Sequence, residues 1–119
     1  MSDKVLIWHN PRCSKSRQTL ALLQENGVEP EIREYLKDAP DHAELNDILA
    51  KLGLPPRGLM RTKEARYKEL ELKQYQDDAA ELIDAMAENP ALIERPVVIK
   101  GDQAALGRPP ENVLPLIGK

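Results

Sequence analysis

An apolar run, Val5-Leu6-Ile7-Trp8, is followed by a short polar break and a helix-like pattern ending at Asn26-Gly27. Glu31-Ile32-Arg33-Glu34-Tyr35-Leu36 comes next. This succession constrains the fold more than any other stretch. A continuous apolar run bounded by turn residues reads as a strand buried on both faces. Leu20, Leu23 and Gly27 recur on one face of a helix expected from about Cys13 to Asn26, and Asn-Gly supplies its C-terminal stop. Glu31 to Leu36 is weaker in pattern and reads as a second strand. Strand, helix and strand at this spacing form a βαβ unit, with parallel strands and a right-handed crossover.

Pro40-Asp41 opens a second helix, with Asp41 and Glu44 spaced as a capping box. Leu45, Ile48, Leu49 and Leu52 follow at helical spacing, and Gly53 ends it. Leu54-Pro55-Pro56-Arg57-Gly58 breaks the chain, and the charged stretch from Leu59 to Leu72 reads as a pair of short helical turns. Asp78 and Glu81 are spaced as another capping box, before an apolar stripe of Ala79, Leu82, Ile83, Met86 and Ala87 that Asn89-Pro90 stops. Stripes this regular are read as core packing. Pro96 to Ile99 is a third strand, Gly101-Asp102 a two-residue hairpin turn, and Gln103 to Leu106 the antiparallel return. Pro109-Pro110 opens a last short helix through Val113, Leu114 and Ile117, which Pro115 should shorten or kink. The order β-α-β, helical segment, β-β-α predicts an α/β fold with a four-stranded mixed sheet. The chain reads as a single thioredoxin-like domain over residues 1–119, with a helical insertion at about 40–90.

The chain has 119 residues, of which 41% are hydrophobic, enough for one modest core. No run of about 18 apolar residues is present, so no membrane partner is expected. Met1-Ser2-Asp3-Lys4 runs straight into the first strand, and no signal peptide is expected. One cysteine excludes an intrachain disulfide, so a redox cycle must take its second thiol from another molecule. A reducing, cytoplasmic location fits that usage. A net charge of −3 and an aromatic content of 3% without Phe argue against nucleic-acid binding. His9 and His42 lack the partners and spacing of a metal site, so no metal is expected.

The lone cysteine carries the chemistry. Cys13 falls at the end of a strand and the start of a helix, where backbone N–H groups point outward with partial positive charge. Arg12, Lys15 and Arg17 add full charges nearby. Both effects favour thiolate over thiol, lower the cysteine pKa and make the spot an anion site. A lone cysteine is more often a small buried hydrophobe. Such a residue needs neither three cations within four residues nor Asn-Pro just before it.

Three arginines stand at the edges of elements, where functional loops sit: Arg61, Arg95 and Arg108. Arg95 precedes Pro96 at the third strand, and a cis Arg95–Pro96 bond is expected. Arginine offers a planar fork of donors suited to tetrahedral oxyanions. Spacing alone does not choose these three over Arg57 or Arg66.

Taken together, several motifs resemble those of the arsenate reductase family that uses glutathione and glutaredoxin. They are His9-Asn10-Pro11-x-Cys13-x-x-Ser16-Arg17, Leu59-Met60-Arg61, Asn89-Pro90 through Glu94-Arg95-Pro96-Val97-Val98, and Gly107-Arg108-Pro109-Pro110-Glu111. They span nearly the whole chain in order. The resemblance implies Cys13 as the catalytic nucleophile, with His9 and Ser16 stabilising its thiolate. It implies Arg61, Arg95 and Arg108 as oxyanion-binding residues. It also implies arsenate as substrate, glutathione as co-substrate, glutaredoxin as partner and no bound cofactor. Two other readings stand beside it. One is a glutathione-dependent thiol oxidoreductase with another substrate. The other is an Spx-like regulator that binds RNA polymerase, although Ser16 stands where a Cys-x-x-Cys switch needs its second thiol.

Overall fold

The apolar run Val5–Trp8 forms strand β1 at the centre of the sheet in a computed structural model that describes residues 4–119. The reading placed on Met1-Ser2-Asp3 lies outside the described residues. The sheet has the order β2-β1-β3-β4, with β2 at Glu31–Arg33, β3 at Val97–Lys100 and β4 at Gln103–Leu106. β1 runs parallel to β2 and antiparallel to β3, with Ile7 opposite both Ile32 and Val98. β4 returns antiparallel to β3 through the Gly101-Asp102 turn, with Lys100 opposite Gln103. A central strand packs on both faces, which is why β1 shows no polar alternation: Val5, Ile7 and Trp8 are all buried. The α/β, thioredoxin-like reading holds.

β2 is shorter than the apolar pattern suggested. It ends at Arg33, because the chain turns back at once and the N–H groups of Lys37 and Asp38 bond to the Glu34 carbonyl. Helix α1 spans Ser14–Glu25, between Cys13 as N-cap and Asn26 as C-cap. Its Leu23 is fully buried with Val5, Ile7, Val98, Val113 and Leu116, and Leu20 packs against them. Each such side chain removed from water stabilises the fold by roughly 1.5–3 kcal/mol. The last helix, Pro110–Ile117, is 3₁₀ throughout. Pro115 lies inside it without an N–H to donate, yet the helix is not shortened and runs on to Ile117.

The chain divides into two compact units, one comprising the residues up to Asp38 with Arg95–Lys119, the other Ala39–Glu94. The second is helical. Helix α2, His42–Leu52, carries the full capping box: the Glu44 N–H donates to Asp41 Oδ1 at 2.8 Å, and the Asp41 N–H to Glu44 Oε1 at 3.3 Å. Gly53 closes it in the left-handed conformation at φ 68°. After a 3₁₀ turn at Pro56–Leu59 come the short helix α3, Ala65–Glu69, and a second 3₁₀ turn, Leu72–Gln74. Helix α4, Ala80–Glu88, packs on α2 and buries Leu82, Ile83, Ala85 and Met86. The capping box expected from Asp78 and Glu81 does not form. Ala79 is the N-cap, because a turn in which its N–H bonds to the Gln76 carbonyl carries Asp78 past the capping position.

Candidate active site around Cys13

Within the sheet unit, β1 delivers the chain to a braced loop that presents Cys13. The His9 N–H bonds to the Arg33 carbonyl of β2 at 2.8 Å, which extends the parallel pairing one residue past β1. Asn10 Oδ1 accepts the Arg12 N–H at 3.0 Å, an Asx-type turn that bends the chain toward the helix. The Arg17 guanidinium reaches back to the Pro11 carbonyl at 2.9 Å, and the Cys13 N–H donates to the Asn10 carbonyl at 3.0 Å. The thiol is half-buried and free of any disulfide.

The first turn of α1 has no carboxylate side chain, and no side chain caps its N–H groups. They serve the thiol instead. Burial pushes the Cys13 thiol up. That effect is outweighed by the Ser16 N–H, the charge of Arg95, the Lys15 N–H and a hydrogen bond from Arg95, so Cys13 lies below its ordinary 9.0. The side-chain charges of Arg12, Lys15 and Arg17, which the sequence led one to expect here, are not among the groups that lower it.

Ser16 and His9 sit directly beneath. Ser16 is fully buried and His9 nearly so. The Asn10 N–H donates to Ser16 Oγ at 3.0 Å, and Ser16 Oγ lies 2.6 Å from His9 Nδ1. Burial lowers the His9 pKa below 6.5; the Glu34 carboxylate opposes the shift and the Arg17 charge adds to it. The ring is therefore neutral at neutral pH, and its Nδ1 shares a hydrogen bond with the Ser16 hydroxyl. The network fixes the loop backbone and the start of α1 relative to each other.

Arg95 reaches the site from just before β3, the strand paired with β1, where Val97 stands opposite Trp8. The Arg95–Pro96 bond is cis, as expected, and so is Arg108–Pro109, which the sequence reading did not single out. Arg108 Nη1 donates to the Arg95 carbonyl at 3.2 Å. Gly107, just before it, shows a constraint that sequence alone hid. Its N–H bonds to the Pro96 carbonyl, and a Cβ there would lie 2.5 Å from Thr19 Oγ1 and 2.8 Å from Pro96 Cγ. Thr19, buried on α1, donates to the Lys15 carbonyl. Only glycine lets the segment between β4 and Arg108 close on α1 at this point.

Cys13, His9, Ser16, Arg95 and Arg108 thus share one compact unit. Arg61 belongs to the helical unit. There its guanidinium pairs with Glu64 and lies 4.0 Å from Glu94, while its N–H bonds to the Leu92 carbonyl beside the Met60–Ile93 bridge. The two arginines that spacing could not set aside have other work. Arg57 ties its unit together by an ion pair with Asp77 and hydrogen bonds to the Tyr67 hydroxyl and the Leu72 and Tyr75 carbonyls. Arg66 forms an exposed pair with Glu69.

Comparison with known proteins gives consistent findings. Residues 8–116 match the model of the ArsC family. The chain is 53% identical to the uncharacterized protein YfgD of Escherichia coli K12, covering 99% of this chain and all of that protein. It is 51% identical to an arsenate reductase of Haemophilus influenzae, over 95% of this chain and 98% of that protein. A solved arsenate reductase from Vibrio cholerae superposes with a TM-score of 0.90 at 50% identity, covering 97% of this chain and 98% of that one.

Proposed function

We propose, because this chain belongs to the ArsC family, that it is an arsenate reductase working through Cys13. The observation that carries this reading is the place of Cys13 at the N-cap of α1, where no side chain caps the first turn and the Ser16 and Lys15 N–H groups and Arg95 act on the thiol. Those groups favour a nucleophile and an anion at one point. Arsenate relatives at half identity over nearly full length support the choice of oxyanion.

In the proposed reaction the Cys13 thiolate attacks arsenic, an As–S bond forms, and an arsenate oxygen leaves as water or hydroxide. The N–H groups at the start of α1 and the Arg95 guanidinium hold the charge that develops on the remaining oxygens. Arg108 supports Arg95 through its carbonyl and adds a second cation. The Ser16–His9 pair keeps the loop in place, so the thiolate does not have to reorganise on attack. A glutathione thiolate then attacks the Cys13 sulfur. The As–S electron pair stays on arsenic, which falls from the pentavalent to the trivalent state and leaves as arsenite. Cys13 remains as a mixed disulfide, which glutaredoxin reduces by thiol exchange. One protein thiol suffices, and the cycle belongs in a reducing cytoplasm. Arg61 keeps the oxyanion role implied by its motif as part of the proposal.

Arsenate-dependent NADPH oxidation, with glutathione, glutaredoxin and glutathione reductase supplied, tests the reading. Turnover by the native protein and none by Cys13→Ser is expected. No turnover by the native protein, with Cys13 still fast to alkylate at neutral pH, discards arsenate and leaves a thiol oxidoreductase with another substrate.

A further inference from the structure

A cleft of ≈200 Å³ opens beside the loop that carries Cys13, with His9, Pro11, Arg12, Glu34, Leu36 and Lys37 in its wall. It is smaller than the roughly 300–1,000 Å³ of a site that encloses a whole small molecule, so it suits one arm of a larger ligand. Its charges are unequal in availability. Lys37 pairs with Glu34 at 3.6 Å, and Arg17, in the first turn of α1, is engaged with the Pro11 carbonyl. Arg12 is exposed, and among the described residues its guanidinium has no hydrogen-bond or salt-bridge partner. Its backbone is not loose, because Asn10 Oδ1 holds the Arg12 N–H. Its Cα is one peptide, about 3.8 Å, from that of Cys13. Leu36, 43% exposed, gives the cleft an apolar wall. An unpartnered cation on a held backbone and an apolar wall, in a cleft that borders the loop leading to a reactive sulfur, suit recognition of a thiol or disulfide that carries a carboxylate.

We propose that this cleft receives a carboxylate-ended arm of the peptide thiol that exchanges with Cys13, with Arg12 as its counter-ion. The inference rests on the thiol-exchange half of the function proposed above and is independent of arsenate. It assigns Arg12 and Leu36 to recognition of the sulfur co-substrate, apart from the groups that stabilise the thiolate.

Exchange with a disulfide reads this directly. The Cys13 thiolate attacks one sulfur of glutathione disulfide, a Cys13–glutathione disulfide forms, the original S–S bond breaks, and one glutathione thiolate leaves. Bis(2-hydroxyethyl) disulfide undergoes the same exchange without charge. Rates are measured by mass spectrometry for the native protein, Arg12→Gln and Leu36→Trp. The last keeps every charge and fills the cleft at an exposed position. Both variants should slow exchange with glutathione disulfide, Arg12→Gln by about tenfold, the scale of one hydrogen bond to a charged group. Both should match the native protein with the uncharged disulfide. A slow Arg12→Gln beside a normal Leu36→Trp would reduce Arg12 to a general surface field and overturn the cleft. Equal slowing on both disulfides would mean a disturbed thiolate and overturn it as well, as would native rates in both variants. Because no arm contains arsenate, failure of the arsenate reading leaves this test unaffected.

Discussion

Helices α1 and α2 begin with the same physical problem and solve it differently. The first N–H groups of any helix lack partners within it. In α2 the Asp41 carboxylate accepts the Glu44 N–H, Glu44 returns the favour to Asp41, and an acidic residue lies in the first turn. In α1 the N-cap is Cys13, no side chain caps the turn, no acidic residue is present, and the N–H groups of Lys15 and Ser16 face a sulfur. One start is built for stability and the other is held open for chemistry. A helix that leaves its cap to a thiol forgoes stability that a better capping residue would supply.

The sharpest way to break this contrast is to cap α1 properly. Cys13→Asp should abolish arsenate-dependent turnover and raise stability to urea by about 1 kcal/mol, because aspartate is a strong N-cap and sits at the positive end of the dipole. A variant less stable than the native protein would show that α1 forgoes nothing at Cys13. Next in size is the packing that brings Arg108 to the site. Gly107→Ala should destabilise by about 1–3 kcal/mol through overpacking against Thr19 and Pro96, and turnover should fall with it. Native stability in urea titrations would mean that α1 and the strand end yield without cost. The reciprocal change at α2, Asp41→Ala, should cost about 1 kcal/mol and leave kcat unchanged, since that cap only stabilises. A loss of kcat would tie α2 to the reaction.

The smallest effect lies in pH. His9 titrates below 6.5 in the folded protein. Below pH 6.5 the unfolded chain therefore binds a proton that the folded one does not, and stability falls as pH drops from there toward the folded value. Histidine NMR titration should place His9 below 6.5; a midpoint at or above 6.5 would remove the neutral His9–Ser16 hydrogen bond from the account.

Much of this was legible in the residues. The run Val5–Trp8, the Asp41–Glu44 box and the Gly101-Asp102 hairpin each carry their structure in a few adjacent positions, so periodicity and capping chemistry found them. The Asp78–Glu81 box has the same spacing as Asp41–Glu44 and failed, because an upstream turn decides where α4 begins. Local spacing does not register such a turn. The closeness of Gly107 to Thr19 was equally hidden, since 88 residues separate them in the chain. For the arginines, sequence position named Arg95 and Arg108 but could not separate them from Arg57. The separation comes from partners: Arg95 acts on a sulfur, whereas Arg57 braces helix α3 at Tyr67 and the chain at Tyr75.

The central claim is that the open end of α1 and Arg95 favour the thiolate of Cys13 and lower its pKa. Its folded pKa lies below 9.0, so the folded chain releases a proton before the unfolded one does. The resulting stability is complete above 9.0 and is lost as pH falls through the folded value. The direct measurement is the pH dependence of Cys13 alkylation by iodoacetamide in the native protein and in Arg95→Gln. The account predicts a midpoint below 9.0 that rises in the variant, while both proteins stay folded. A native midpoint at or above 9.0, or one that Arg95→Gln does not move, would contradict it.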